Sequence, residues 1–574
     1  MIQYVIPYVF AFVTIVISTS CGSGTTKASI ALDPYHYQIN KRVIAKNGLV
    51  VCAHPLAAKV GVDILKKGGN AFDAAIATQL SLAVVYPGAG NIGGGGFLVA
   101  QRAKGGALAL DYREMAPARA SREMYLDSVG NIRPGESVNG HLSSGVPGTV
   151  AGLFETHKYA KLPLADLIQP AIELARNGFA ITEREARSLN SLQDEFSTYN
   201  TRPTAFQKNS PWRANDTLFQ PDLANTLERI RDKGVKGFYE GETADLIVAE
   251  MKRGNGIIST EDLKNYKAEW REPHLFTYHG HQLVTMPLPS SGGLLLHQML
   301  KMVEHRPLKD YGFLSASAVQ LMTEAERRAY SDRAMYMGDP DFYKAPVDKM
   351  VDSSYLVKRM RDFVAGKAGK SKELPEGEKL WKESKETTHL SVMDAEGNAV
   401  AVTTTLNNGY GSRTVVGGAG FLMNDEMDDF SSKPGAPNIY GAVGGEANAI
   451  VPKKRMLSSM CPTIVLKDGK PFLVLGTPGG TTIPTSVFQT IVDLLDFNLS
   501  ASDAVNLPKF HHQWLPDNIT VEKAFPDSTR QLLIGMGYEL EEVNEIGRTE
   551  VIRLDNGNME GVGDNRGDDS AEGY

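Results

Sequence analysis

Hydrophobic and polar positions fall into three blocks along the chain. The first begins near Asn47 with "NGLVVCAHPLAAKVGVDILKKGGNAFDAAIATQLSLAVVYPGAG". It opens on a short apolar strand pattern. Apolar residues then recur at spacings of three and four through Ala57, Val60, Val62, Ile64 and Leu65, which predicts a helix. "GGN" interrupts it, and an Ala-rich segment from Ala71 to about Val84 is apolar on most faces, which predicts a helix buried all round. "FLVAQ" and "ALALDY" then read as paired strands around "RAKGG". The second block, from about Pro117 to Lys370, is mostly helical by pattern, with Gly or Asn ending several segments. The third starts at Thr387, where strands alternate with Gly-rich turns: "THLSVM", "AVAVTTTL", "PTIVLKDGKPFLVLGTPGG". "DAEGN" and "KDGK" are hairpin turns, and "TSVFQTIVDLLDFN" is a helix after "GTPGG". Strand pairs and helices in separate blocks predict helices layered on antiparallel sheets, not a Rossmann-type parallel sheet.

Two segments fall outside these blocks. "YVIPYVFAFVTIVIS" is apolar and uncharged, and the first lysine is Lys27. It is shorter than the ~20 residues of a membrane-spanning helix and reads as the core of a signal peptide over residues 1–20. The following "STSCGSG" resembles a bacterial lipoprotein cleavage site, with Cys21 as the lipidated first mature residue. Ser18 stands where Leu is usual, and no Lys or Arg precedes the apolar run. Soluble export after plain cleavage and a retained anchor are the alternatives. The expected location is the periplasm, or the membrane surface as a lipoprotein of a bacterium. The second segment, "GKAGKSKELPEGEKLWKESKE" from Gly366 to Glu386, is charged, carries Pro and Gly, and lacks periodicity, so it reads as an exposed, mobile linker.

With 42% hydrophobic residues, the 574-residue chain can bury a large core. A net charge of -7 argues against a nucleic-acid partner. The three cysteines form no CxxC or zinc spacing, and Cys52 and Cys461 read as small buried hydrophobes. "GAGNIGGGG" contains Gly88-x-Gly90-x-x-Gly93, but a helix precedes it and a strand follows, the reverse of a dinucleotide fingerprint. A tight loop packed near a site fits better. His511 and His512 are neighbours on a predicted strand, so they point to opposite faces and do not share a metal.

The hairpin after Thr387 carries the candidate chemistry. A three-residue loop Ala395-Glu396-Gly397, with Gly397 left-handed, pairs Asp394 with Asn398. The same register sets Thr387 opposite Thr405. Two opposed hydroxyls can simply hydrogen-bond across a sheet. They can equally be a nucleophile and its supporting hydroxyl. His389 shares the face of Thr387, and Thr388 points away.

"TTHLSVMDAEGNAVAVTTTLN", "NDEMDDFSSKPGAPNIYG", "LSSMCPTIV" and "GTPGG" closely resemble the γ-glutamyltranspeptidase (glutathione hydrolase) family. "GNIGGGGF", "DYREMAPARA", "SSGVPGTVAGL", "PSSGG", "YSDRAMYMGDPDF", "NLPKFHHQWLPD" and "DDSAEGY" fit it too, in order from about Asn47 to Tyr574. The resemblance implies an α/β fold, the four-layer αββα sandwich of N-terminal-nucleophile hydrolases. It implies self-cleavage between Glu386 and Thr387 into a large subunit (21–386) and a small catalytic subunit (387–574), which stay together as a heterodimer. The free α-amino group of Thr387, with an ordinary pKa of about 7.7–8.0, would then serve as base for its own hydroxyl, leaving His389 a structural role.

By the same resemblance Thr405 positions Thr387, and the N–H groups of Gly479 and Gly480 form the oxyanion hole. Arg113 binds the α-carboxylate of the γ-glutamyl group with Ser458 and Ser459. Asn407, Glu426 and Asp429 hold its α-ammonium, and Tyr440 gates a lid loop. Implied substrates are glutathione and other γ-glutamyl compounds, with water, amino acids or dipeptides as acceptors, and no metal or cofactor. A cephalosporin (glutaryl) acylase of the same superfamily is the first alternative. A γ-linked polyglutamate depolymerase is a further relative, disfavoured by an intact lid. A non-enzymatic exported binding lipoprotein is the last.

Overall fold

The computed structural model describes residues 1, 32–371 and 387–574. Cys21, Glu386 and the signal-peptide reading lie outside the described residues. Between Leu32 and Tyr574 the chain forms one compact unit.

Two seven-stranded sheets make its centre. Strand by strand, the first contains Ser570–Gly573, Gly48–Cys52, Thr387–Asp394, Ala399–Thr405, Gly95–Gln101, Ala107–Asp111 and Glu269–Arg271. The second contains Arg42–Ala45, Asn558–Val562, Glu550–Asp555, Lys470–Gly476, Thr463–Lys467, His281–Thr285 and His274–Tyr278. Every pairing in both is antiparallel. The sheets face each other through Thr387–Asp394 and Ala399–Thr405 on one side and Lys470–Gly476 on the other. Helices cover both outer faces. Pro55–Lys66 and Ala71–Val85 lie on the first sheet, and Gly292–Val303 and Thr482–Leu495 on the second. This is the expected αββα layering.

The sequence explains the elements nearest the site. Ala71–Val85 is capped by Asn70, whose side chain accepts from Phe72 and Asp73 while Asp73 returns the bond. All its residues are buried, as its unbroken apolar pattern requires. The Asp394–Asn398 turn forms as read: Gly397 has φ 89° and Asp394 N donates to Asn398 O at 3.1 Å. The hairpin therefore pairs Thr387 with Thr405, Thr388 with Thr404 and His389 with Thr403.

Two features depart from the sequence reading. The middle block is mostly helical as read, but it also holds the unanticipated strands Glu269–Arg271, His274–Tyr278 and His281–Thr285, which extend both sheets. His274–Tyr278 alternates buried and exposed residues, and His279 and Gly280 turn the hairpin with positive φ. The start of the linker is also held in place. Gly366 N donates to Gln320 Oε1 (2.9 Å), Ala368 N to Met536 O (2.8 Å) and Ser371 N to Asp517 Oδ2 (2.8 Å). Residues 372–386 lie outside the described residues.

Candidate active site

Thr387 opens its strand with its hydroxyl 3.3 Å from that of Thr405, and both side chains are buried. Thr405 Oγ1 also accepts from Asn407 N at 2.8 Å, so its position is fixed by the backbone two residues on. The glycine block predicted to lie near a site makes this packing possible. Gly95 pairs with Thr405, and a Cβ on Gly94 would lie 2.1 Å from the Thr405 carbonyl oxygen.

His389 does not bond Thr387. Its Nδ1 meets Thr403 Oγ1 at 2.8 Å and its Nε2 meets Ser391 Oγ at 3.1 Å. Complete burial pulls its pKa down to about 3. The ring is neutral near pH 7, already bonded on both nitrogens, and unsuited to serve as the base.

A charged cluster lines the same cleft as Thr387. The turn Glu426–Asp429 presents two acids three residues apart on one side. Arg113, 1% exposed, lies between them. Its Nη1 is 2.8 Å from Glu426, its Nη2 contacts Asp429, and Glu114 stands 3.6 Å away. Burial works against the charge on Arg113, but Glu426, Asp429 and Glu114 outweigh it and hold the guanidinium above its usual range. Burial likewise pushes Glu426 and Asp429 upward, with Arg113 opposing. The neighbouring acids have other tasks. Asp425 accepts from Asn408 N, and Asp428 from Ser137 Oγ and Ile439 N.

The remaining sequence candidates converge here. Asn407 (φ 76°) donates through its side chain to Asp425 O at 3.0 Å, and its carbonyl accepts from Tyr440 Oη at 2.5 Å. Asn438 links Tyr440 N to Asp429, and Gln513 Nε2 holds the Tyr440 carbonyl at 3.0 Å. The loop carrying Tyr440 is thus tied across the cleft. Ser458 and Ser459 line the cleft too, with Ser458 Oγ accepting from Met460 N at 3.1 Å.

Gly479 (φ 133°) and Gly480 (φ 57°) lead into the helix Thr482–Leu495. A Cβ on Gly480 would meet the Tyr440 ring at 2.5 Å. Among the described residues no protein acceptor takes the N–H of either glycine. Two N–H groups at a helix N-terminus suit a developing negative charge.

Sequence reasoning missed Arg333, which lines this cleft. The stretch "YSDRAMYMGDPDF" resembles a family motif but by itself gives the arginine no task. Among the described residues there is no group of three or more His, Cys, Asp or Glu that could hold a metal. His511 and His512 instead bond Thr485 and Gln513, and Asp517, respectively. Cys52 and Cys461 are free and buried. No helix among the described residues is long and apolar enough to cross a membrane.

The chain is 45% identical to the glutathione hydrolase proenzyme of Escherichia coli (strain K12) over 97% of each chain. It superposes on the cephalosporin acylase of Bacillus halodurans with a TM-score of 0.81 at 27% identity, covering 94% of this chain and 98% of that one. A gamma-glutamyltranspeptidase chain from Helicobacter pylori matches at 44% identity and a TM-score of 0.54, covering 55% of this chain and 91% of its own. The gamma-glutamyltranspeptidase family model matches residues 57–574, and the chain belongs to that family.

Proposed function

We propose that the protein is a γ-glutamyltransferase and glutathione hydrolase that first cuts itself before Thr387. One observation carries this reading: a buried hydroxyl pair opens onto the same cleft as a paired arginine and two acids. An α-amino acid headgroup matches that cluster charge for charge. Its carboxylate takes a fork of Arg113, and its ammonium takes Glu426 and Asp429 with Asn407. The group so held projects its γ-carbonyl toward Thr387. An intact lid with Tyr440 disfavours long γ-linked polymers.

The chemistry follows from the groups present. In self-cleavage the Thr387 hydroxyl attacks the Glu386 carbonyl. The resulting ester hydrolyses and leaves Thr387 as a new N-terminus. Its amine takes the hydroxyl proton as Thr387 Oγ1 adds to the γ-amide of the donor. Gly479 and Gly480 N–H groups hold the oxyanion. The leaving amine, cysteinylglycine for glutathione, departs with the proton and leaves a γ-glutamyl ester on Thr387. Water then releases glutamate, or an amino acid or dipeptide amine forms a new γ-glutamyl bond. Export as a lipoprotein anchored at Cys21 belongs to the same proposal.

The acylase reading shares the nucleophile and oxyanion hole, and the Bacillus halodurans structure favours it by shape. It gives no task to Glu426 and Asp429. Two measurements test the choice. On a denaturing gel, wild type should give two fragments, the smaller beginning Thr-Thr-His, and Thr387→Ala one intact, inactive chain. Wild type should hydrolyse γ-glutamyl-p-nitroanilide in preference to glutaryl-p-nitroanilide. A glutaryl preference would move the protein to the acylases, and an uncut, inactive wild type would leave only a binding protein.

A further inference from the structure

Arg333 is a guanidinium the proposed mechanism does not use. It lies on the helix Ala316–Tyr336 and is 7% exposed. Its Nε donates to Ser291 Oγ at 3.0 Å and its Nη2 to Ser459 Oγ at 3.3 Å. Ser291 Oγ in turn donates to the Ser458 carbonyl at 2.7 Å. Arg333 therefore braces both serines at the carboxylate end of the cleft, which it also lines.

Its charge balance differs from that of Arg113. Arg113 contacts three carboxylates. Among the described residues Arg333 has none within the 4.0 Å of an ion pair. Burial pulls it below the usual guanidinium range, Tyr330 and then Asp429 draw it upward, and Arg113 pushes it down. A buried charge that contacts hydroxyls but no counter-charge is costly, and an anion arriving beside it is favoured. Arg113 must give up part of its existing ion pairs to receive an anion, and Arg333 does not.

Resting on the γ-glutamyl reading above, we propose that Arg333 and Ser459 together form a second anchor for the α-carboxylate of the donor. Arg113 remains the first anchor while also keeping Glu426 and Asp429 in place for the ammonium, and the carboxylate lies between the two guanidiniums. The arrangement makes the α-carboxylate a specificity determinant that two cations read from two elements far apart in sequence.

The test compares two donors that differ only in that group: γ-glutamyl-p-nitroanilide and 4-aminobutyryl-p-nitroanilide. Removing a charge-assisted contact should lower kcat/KM of Arg333→Gln for the γ-glutamyl donor by about ten- to a hundredfold, chiefly through KM. The 4-aminobutyryl donor should change by less than about threefold, since it loses no such contact. Arg333→Lys keeps the charge without the fork and should recover part of the γ-glutamyl loss. A merely structural brace would lower both donors by the same factor in both variants, and that result overturns the proposal. If Arg333→Gln does not fold or process, Arg333→Lys decides alone: a loss confined to the γ-glutamyl donor supports the anchor, and an equal loss or none overturns it. Wild type inactive on the γ-glutamyl donor would instead sink the underlying activity, and the anchor with it.

Discussion

Gly480→Ala probes the contact between the loop proposed to hold the oxyanion and the loop that carries Tyr440. The added methyl would sit 2.5 Å from Cδ1 and 2.7 Å from Cε1 of Tyr440. Carbon atoms in ordinary contact stand about 3.5–4.0 Å apart, so the ring or the loop must give by about an ångström. The ring is held, since its hydroxyl bonds Asn407 O and its own backbone is tied to Asn438 and Gln513. The loop therefore yields and carries the Gly480 N–H out of line. Misplacing one oxyanion donor costs about 10²–10³ in rate. The left-handed φ of 57° adds about 1 kcal/mol of strain for any L side chain. Steady-state release of p-nitroaniline should show kcat reduced about 10²-fold in Gly480→Ala. Tyr440→Ala removes the obstacle, so Gly480→Ala added to it should cost no more than about threefold, a coupling of about 2 kcal/mol. If the two losses simply multiply, the clash is not the cause and the reasoning fails.

Two further substitutions test the hydroxyl pair and the buried histidine. Thr405→Val leaves the buried Asn407 N–H without its acceptor, worth about 1–3 kcal/mol, and unfastens Thr387. Self-cleavage followed on gels should slow, kcat should fall about ten- to a hundredfold, and Thr405→Ser should restore most of both. Unaltered kinetics in Thr405→Val would remove Thr405 from the site. His389 has a folded-state pKa of about 3 against an unfolded value of about 6.5. Between those values the unfolded chain binds the extra proton, so the contribution of His389 is complete above pH 6.5 and shrinks as pH falls. In the Thr387→Ala background, the stability difference between His389 and His389→Gln chains should be about 2 kcal/mol smaller at pH 5.0 than at pH 7.5 by urea unfolding. A difference constant with pH would mean that His389 is not buried neutral.

The sequence made the hairpin legible because a three-residue turn with Gly397 fixes register by counting. Thr387 opposite Thr405 needed no tertiary information. The burial of Ala71–Val85 was equally visible, since a helix without a polar face has nowhere else to go. The hairpin His274–Thr285 was hidden because its short alternation sits among long helical stretches. Arg333 was hidden for a different reason. "AERRAYSDRAMY" resembles a solvated face, yet nearly every residue of that helix is buried. The ion pairs of Arg113 were out of reach as well, because Arg113 and Asp429 are 316 positions apart and only the sheets bring them together.

The strand order has a consequence for the life of a cut chain. Gly48–Cys52 is clasped between Thr387–Asp394 and Ser570–Gly573, and the other sheet also mixes strands from both sides of residue 387. Two pieces produced by a cut before Thr387 would share both ladders and could not part without tearing them. Folding from one chain is a first-order event. Reassembly from two denatured pieces is second-order and must find the same interleaving without the tether. The uncut chain would therefore carry folding information that a cut one has spent. Uncut protein should regain its fold after dilution from denaturant at a yield independent of concentration, whereas the cut form should depend on concentration and fall short.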